Sequence, residues 1–118
     1  MNRRGLGRAY EERAAHFLEQ KGYRILARNY STRYGEIDLV AQEGEVLCFV
    51  EVKYRKNSAF GWPGEAVGRE KQRKLSFSAS VYLMKEQVGL NRPMRFDVVS
   101  IIGEEYTLIR DAFPYAGG

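Results

Sequence analysis

Four side chains in one short stretch have the types and spacing to do chemistry. Glu36 and Asp38 stand two residues apart before a glycine at 44, and Glu51 and Lys53 stand two apart after it. A turn centred between Gly44 and Glu45 sets Asp38 opposite Glu51 and Glu36 opposite Lys53. The period of two puts each pair on one face of its strand, and with an even loop all four share that face. Opposed residues have Cβ atoms ~4.5–5.5 Å apart, and like charges there are destabilising. A divalent cation removes that cost. Mg²⁺ takes carboxylate oxygens at ~2.0–2.1 Å, keeps several waters, and needs one or two carboxylates beside substrate phosphates. The chemistry that uses such a group is phosphodiester hydrolysis, in which the metal polarises phosphate and activates a water. Lys53, beside it, would stabilise the charge that develops on phosphorus. The competing reading of Asp38, Glu51 and Lys53 is a structural ion-pair ladder at a sheet end.

The elements that must position these residues are legible in outline. Tyr10, Ala14, Phe17 and Leu18 follow a helical stripe that stops at Gly22, with Lys21 in the last turn. Tyr23 to Tyr30 is a strand, and Gly35 opens a second through Ala41. Val46 to Tyr54 is a third; its run of five apolar residues, without alternation, predicts burial on both faces and a central place. Asn57 to Gly64 is a loop with Gly61, Pro63 and Gly64. A second helix carries Val67, Lys71, Leu75, Ala79 and Tyr82 on one stripe, and Asn91-Arg92-Pro93 breaks the chain after it. Phe96 to Ile102 and Tyr106 to Ala112 are strands around a turn at Gly103-Glu104. The order α-β-β-β-α-β-β predicts a mixed sheet flanked by helices, of α/β or α+β type.

Charge falls in blocks. Residues 1–34 are net +5, residues 35–52 are net −5 with no base, residues 53–74 are net +5 and residues 75–118 are net −1. Basic segments suit a phosphate backbone, and an acidic block between them would repel it unless it held a cation. With 118 residues the chain suits one domain, residues 1–118. The longest apolar stretch, Val46 to Val50, is far short of the ~20 residues of a membrane span. The N-terminal arginines precede no apolar segment, and Cys48 is the only cysteine, which leaves no internal disulfide framework. A cytoplasmic protein with no membrane partner is the expectation.

Other residues have two readings each. Lys71, facing the sheet near a helix start, could meet a phosphate with Gln72 beside it, or could cover the core with its stem. Tyr30, Arg33, Tyr34, Tyr54 and Arg55 interleave rings and cations near the acidic face, which suits stacking on unpaired bases as well as ordinary packing. Arg95 and Asp97 in an apolar strand read as structural, Cys48 as a small core residue and His16 as surface.

The blocks Arg33-Tyr34-Gly35-Glu36-Ile37-Asp38-Leu39-Val40 and Phe49-Val50-Glu51-Val52-Lys53-Tyr54-Arg55 resemble the core of the YraN family. The likeness continues through Phe60-Gly61, Ala66-Val67, Lys71-Gln72 and Arg95-Phe96-Asp97-Val98-Val99, nearly the whole chain. These bacterial proteins are similar to restriction-endonuclease-like nucleases and archaeal Holliday-junction resolvases. The resemblance implies a restriction-endonuclease-like α/β fold, Asp38 and Glu51 as ligands of Mg²⁺ or Mn²⁺, and Lys53 assisting catalysis, with Glu36 in support. It also implies a third carboxylate from the first helix. Glu11 and Glu12 are both candidates; counting back from Gly22-Tyr23 selects Glu11, which also borders the apolar stripe while Glu12 points away. Where the family commonly has glycine before this glutamate, the chain has Tyr10. The implied function is a metal-dependent DNA endonuclease acting on branched or structured DNA, with a homodimer as the natural partner for a two-fold substrate. Lys71, Gln72, Arg33, Tyr34 and Arg55 would then contact nucleic acid. The alternatives are a nucleic-acid-binding accessory subunit with a vestigial site, and an RNA-directed nuclease or binder.

Overall fold

The computed structural model of the chain describes residues 3–56, 67–89 and 91–117, apart from the side chains of residues 3 and 4. The expected loop Asn57 to Gly64, with Phe60, Gly61 and Ala66 of the resemblance, lies outside the described residues. The elements are α1 (Arg3–Gln20), β1 (Arg24–Thr32), β2 (Gly35–Glu43), β3 (Val46–Arg55), α2 (Arg69–Lys85), β4 (Met94–Ile102) and β5 (Glu105–Phe113). The order is the expected one. The strands form a single sheet in chain order, β1-β2-β3-β4-β5. The β3–β4 pair is parallel and the other three pairs are antiparallel. The parallel pair needs a crossover connection, and α2 lies in it. As its unbroken apolar run requires, β3 is the middle strand.

Each helix covers one face of the sheet. Ala14, Ala15 and Leu18 of α1 pack with Leu39, Ala41, Cys48, Val50, Val52, Val99 and Ile101. On the other face Leu75, Ala79 and Tyr82 of α2 pack with Ile37, Val40, Leu47, Phe49, Phe96 and Val98. Val67, expected on the helix stripe, is buried in this second layer but precedes the helix.

α1 begins seven residues before the expected Tyr10. Its early turns carry few apolar side chains, so hydrophobic periodicity does not report them, although backbone bonding continues through them. Its end is as read. Gly22 has φ of 95°, and the Tyr23 amide donates to the Leu18 carbonyl at 3.0 Å, the six-residue closure that a left-handed residue at this position permits.

A polar network centred on buried Asp97 ties the α1–β1 connection, β2, β4 and β5 together. Asp97, fully buried, accepts from the Tyr23 hydroxyl at 2.7 Å, from Arg95 Nε at 2.9 Å and from the Asp111 amide at 2.9 Å. Arg95 also donates to Tyr23 and to Glu43, and Arg110 closes on Glu43 at 2.6 Å. Arg110 and Arg95 hold the Glu43 carboxyl down to about 2. Arg95 and Asp97 are therefore structural, as read from the sequence. Cys48 is a buried core thiol, pushed up to about 12 by burial. His16 is exposed between Glu12 and Glu19.

Candidate functional site

The hairpin register is the one that the turn at Gly44-Glu45 requires. Leu39 pairs with Val50, Val40 with Phe49 and Glu43 with Val46. The ladder stops at Leu39–Val50, one step short of Asp38 and Glu51. There the Val52 amide donates to the Asp38 carboxylate at 2.8 Å, so a side chain takes the place of a main-chain partner. On its other side, Asp38 is the partner position of Asn29, and that pair is also missing from the β1–β2 ladder between Arg28–Leu39 and Tyr30–Ile37. Asn29 has φ of 51°, a left-handed conformation that asparagine tolerates better than most residues.

This interruption corrects the expectation of strict alternation through Glu36 and Asp38. Ile37 and Leu39 would share a face in a regular strand. Instead Ile37 packs with α2 and Leu39 with α1. The strand turns over at Asp38, opposite the left-handed Asn29. As a result Asp38 sits at the boundary of the two faces rather than wholly on one of them.

Glu11 reaches Asp38 from the α1 side. Two residues seat this part of α1. Tyr10 stacks on Tyr54 of β3 with centroids 4.2 Å apart, and Arg13 donates to the Tyr106 hydroxyl at 2.7 Å and to the Gly103 carbonyl at 3.1 Å. Tyr10 thus packs the helix onto β3. Glu11, Glu36 and Asp38 each bring a carboxylate oxygen within 4.8 Å of the other two. Asn29 Nδ2 donates to both Glu11 and Glu36, the latter at 3.1 Å, and Ser31 Oγ reaches Glu36 at 3.3 Å. Glu12 points elsewhere and pairs with Arg28 at 3.0 Å. The choice of Glu11 over Glu12 agrees with this placement.

Glu51 reaches Asp38 from the α2 side. Its neighbour Val52 belongs to the α1 layer, so Glu51 and Lys53 lean the other way. Lys71 Nζ of α2 stands 3.4 Å from Glu51, whose side chain is only 12% exposed. Lys53, partly buried, follows on β3 in register with Ser100 of β4. Burial, then the charge of the neighbouring Glu51, pushes the Asp38 carboxyl up to about 7. Burial also raises Glu11 to about 7, against the hydrogen bond from Asn29 and with the charge of Asp38. Two carboxyls raised by burial and by each other's charge, with Glu36 and Glu51 around them, form an all-oxygen donor set suited to a hard divalent cation.

The remaining expected residues divide. Lys71 meets a carboxylate and is half exposed, rather than turned from solvent as its stripe position suggested. Gln72 donates to the Val67 carbonyl at 2.7 Å and so ties the start of α2. Arg33 and Tyr34 lie on the β1–β2 turn, which docks against α2 rather than at the carboxylates; Tyr34 meets Phe77 with centroids 5.1 Å apart. Tyr30 packs edge-on against Tyr82, also 5.1 Å between centroids. Arg55 ends β3, its carbonyl accepting the Gly103 amide at 2.9 Å. Two contributors escape a reading by residue type. Asn29, the hub between Glu11 and Glu36, looks like an ordinary polar strand residue, although its poor fit to a strand was the available signal. Phe77 lies off the buried stripe of α2.

Together the sheet between two helices and the carboxylates gathered at the splayed end of β2 and β3 define an α/β protein with a candidate cation site. The chain belongs to the uncharacterised protein family UPF0102, the YraN family, whose model matches residues 10–101. A UPF0102 protein of Lachnoclostridium phytofermentans is 47% identical over 117 residues, 99% of both chains. Relatives from Symbiobacterium thermophilum and Carboxydothermus hydrogenoformans are 54% and 51% identical, each over 86% of this chain and 84% and 85% of their own. Among the described residues no helix is long and apolar enough to cross a membrane.

Proposed function

We infer that this chain is a metal-dependent DNA endonuclease. The observation that carries the reading is the position of Asp38, in contact with Glu11 on one side and Glu51 on the other at the point where β2 and β3 part. Asp38, Glu51 and Glu11 would hold Mg²⁺ or Mn²⁺, with Glu36 in support through Asn29. When bound, the metal supplies a polarised phosphate and an activated water. The chain's own residues do the rest. The Val52 amide orients Asp38, Asn29 orients Glu11, and Lys53 leans to the same side as Glu51, where it would stabilise charge on the phosphate. Branched DNA, with its two-fold symmetry, calls for two copies of the chain.

A second reading, an accessory nucleic-acid-binding subunit with a vestigial site, is favoured by one observation. Lys71 already supplies Glu51 with a positive charge, as a metal would.

The test is cleavage of labelled linear duplex, single-stranded, flap and four-way-junction DNA with Mg²⁺ or Mn²⁺, and with EDTA as the blank. Wild type is run beside Asp38→Asn and Lys53→Ala. Cleavage by wild type that both variants lose, by roughly a hundredfold or more, supports the endonuclease. Binding without cleavage on every substrate, unchanged by Asp38→Asn, overturns it in favour of the accessory subunit.

A further inference from the structure

Away from the carboxylates, the β1–β2 turn and the outer flank of α2 border two adjoining open pockets of about 460 and 440 Å³. Arg33, Tyr34 and Phe77 line both. The first continues along Ser80, Val81 and Met84 to Lys85, and the second along Glu70, Arg73 and Lys74. The turn is held on the helix by a 2.8 Å hydrogen bond between the Thr32 and Ser78 hydroxyls. Tyr34 and Phe77 stand between the two spaces, 35° apart in plane, with Arg33 4.9 Å above the Tyr34 ring.

We propose that this groove binds unpaired nucleotides of a nucleic-acid strand, with bases against Tyr34 and Phe77 and phosphates against Arg33, Arg73 and Lys74. The proposal rests on the nucleic-acid reading above and names the form of strand recognised. Charge and shape select the occupant. Four cations, Arg33, Arg73, Lys74 and Lys85, face one acid, Glu70, which pairs with Lys74 at 3.7 Å. A peptide helix or an acyl chain would use the apolar floor but leave these charges unmatched. A nucleotide matches both, because every base has an apolar face to stack and every link carries a phosphate. Duplex DNA hides its bases in the stack and would offer the groove phosphates alone. From Lys71, at the carboxylates, to Phe77 is six residues, a rise of roughly 9 Å along α2, which is within the length of a few nucleotides.

The test is binding of fluorescein-labelled oligo-dT, oligo-U and a mixed-sequence duplex of equal length, read by anisotropy in EDTA at fixed salt. Tyr34→Leu is expected to weaken single strands about tenfold and leave the duplex unchanged, while Tyr34→Trp restores binding. The Arg73→Glu, Lys74→Glu pair is expected to weaken both classes and to lower the salt dependence, whereas Arg24→Glu, on exposed β1, changes neither by more than about twofold. Near-UV circular dichroism checks that each variant is folded. A larger loss on oligo-U than on oligo-dT, or the reverse, tells RNA from DNA within the proposal. Equal loss of single strand and duplex in Tyr34→Leu overturns it, as does full binding in the charge-reversed pair. Because binding is read without metal, these outcomes stand whether or not the carboxylates cleave DNA. Conversely, a cleaving enzyme with unaltered binding in all groove variants sinks the groove alone.

Discussion

The Val52 amide donates to the Asp38 carboxylate at 2.8 Å across the gap where the β2–β3 ladder ends. The bond spares a main-chain donor from going unmatched between two splitting strands, and it fixes one oxygen of the carboxyl that contacts both Glu11 and Glu51. Strand separation and site geometry are in this way one feature. A regular hairpin would have paired these backbones and sent Asp38 wholly to one face.

The clustered carboxyls predict an unusual dependence of stability on pH. Glu11 and Asp38 rise from ordinary values of 4.5 and 3.8 to about 7, so between about pH 4 and 7 the folded chain holds more protons than the unfolded one. Stability from these groups is present below their ordinary values and is lost as pH rises through 7. Glu43, lowered from 4.5 to about 2, acts in the opposite sense and loses its contribution as pH falls toward 2. The thermal midpoint without metal should therefore peak near pH 4 to 5. Asp38→Asn, which keeps the acceptor for Val52, should flatten the fall above the peak and raise the midpoint at pH 8 by a few degrees. A wild-type profile still rising from pH 5 to 8 would contradict this.

Metal should reverse that loss. At pH 7.5, Mn²⁺ at 100 times its dissociation constant would stabilise the chain by about 2.7 kcal/mol if it binds the folded state alone. The thermal midpoint of wild type should rise accordingly and return with EDTA. Asp38→Asn and Glu51→Gln should show little rise, and His16→Ala, on the exposed face of α1, should respond as wild type does.

Lys71 would compete with a bound metal for Glu51. Replacing it by methionine keeps an unbranched stem and removes the 3.4 Å ion pair. Mn²⁺ affinity measured by calorimetry should then increase severalfold. An unchanged affinity would mean that the pair is a surface contact of little consequence.

Asn29 holds the Glu11 and Glu36 carboxylates through one amide. Asn29→Gly preserves the left-handed backbone and deletes both bonds, so the fold should survive while the Glu11 carboxyl titrates higher still, since the Asn29 bond is what lowers it. Carboxyl-carbon NMR titration reads the shift directly.

The Asp97 network carries stability rather than chemistry. Asp97→Ala takes the acceptor from the Tyr23 hydroxyl, Arg95 Nε and the Asp111 amide at once and should cost about 3–5 kcal/mol. Tyr23→Phe removes one hydroxyl, which donates to Asp97 at 2.7 Å and accepts from Arg95 at 3.0 Å, and should cost about 1–3 kcal/mol. Urea midpoints should fall in that order with the slope unchanged.

What the sequence determined by itself was what local physics controls. Periodicity placed both helices and all five strands, Gly22, Gly35, Gly44 and Gly103 marked turns at positive φ, and the five-residue apolar run put β3 in the centre. Turn position alone set the register that brings Asp38 toward Glu51. Hidden from it was everything that needs two distant segments at once. The reversal of β2 at Asp38 depends on Asn29, nine residues earlier and on another strand, adopting a left-handed conformation that no alternation rule anticipates. The early turns of α1 have too few apolar residues to be seen, yet Tyr10, stacked on Tyr54, seats the helix that carries Glu11. The ion pair of Lys71 with Glu51 and the docking of Tyr34 on Phe77 arise from where α2 lands on the sheet. Residue type states what a side chain can do; only the packed fold decides which others stand within reach of it.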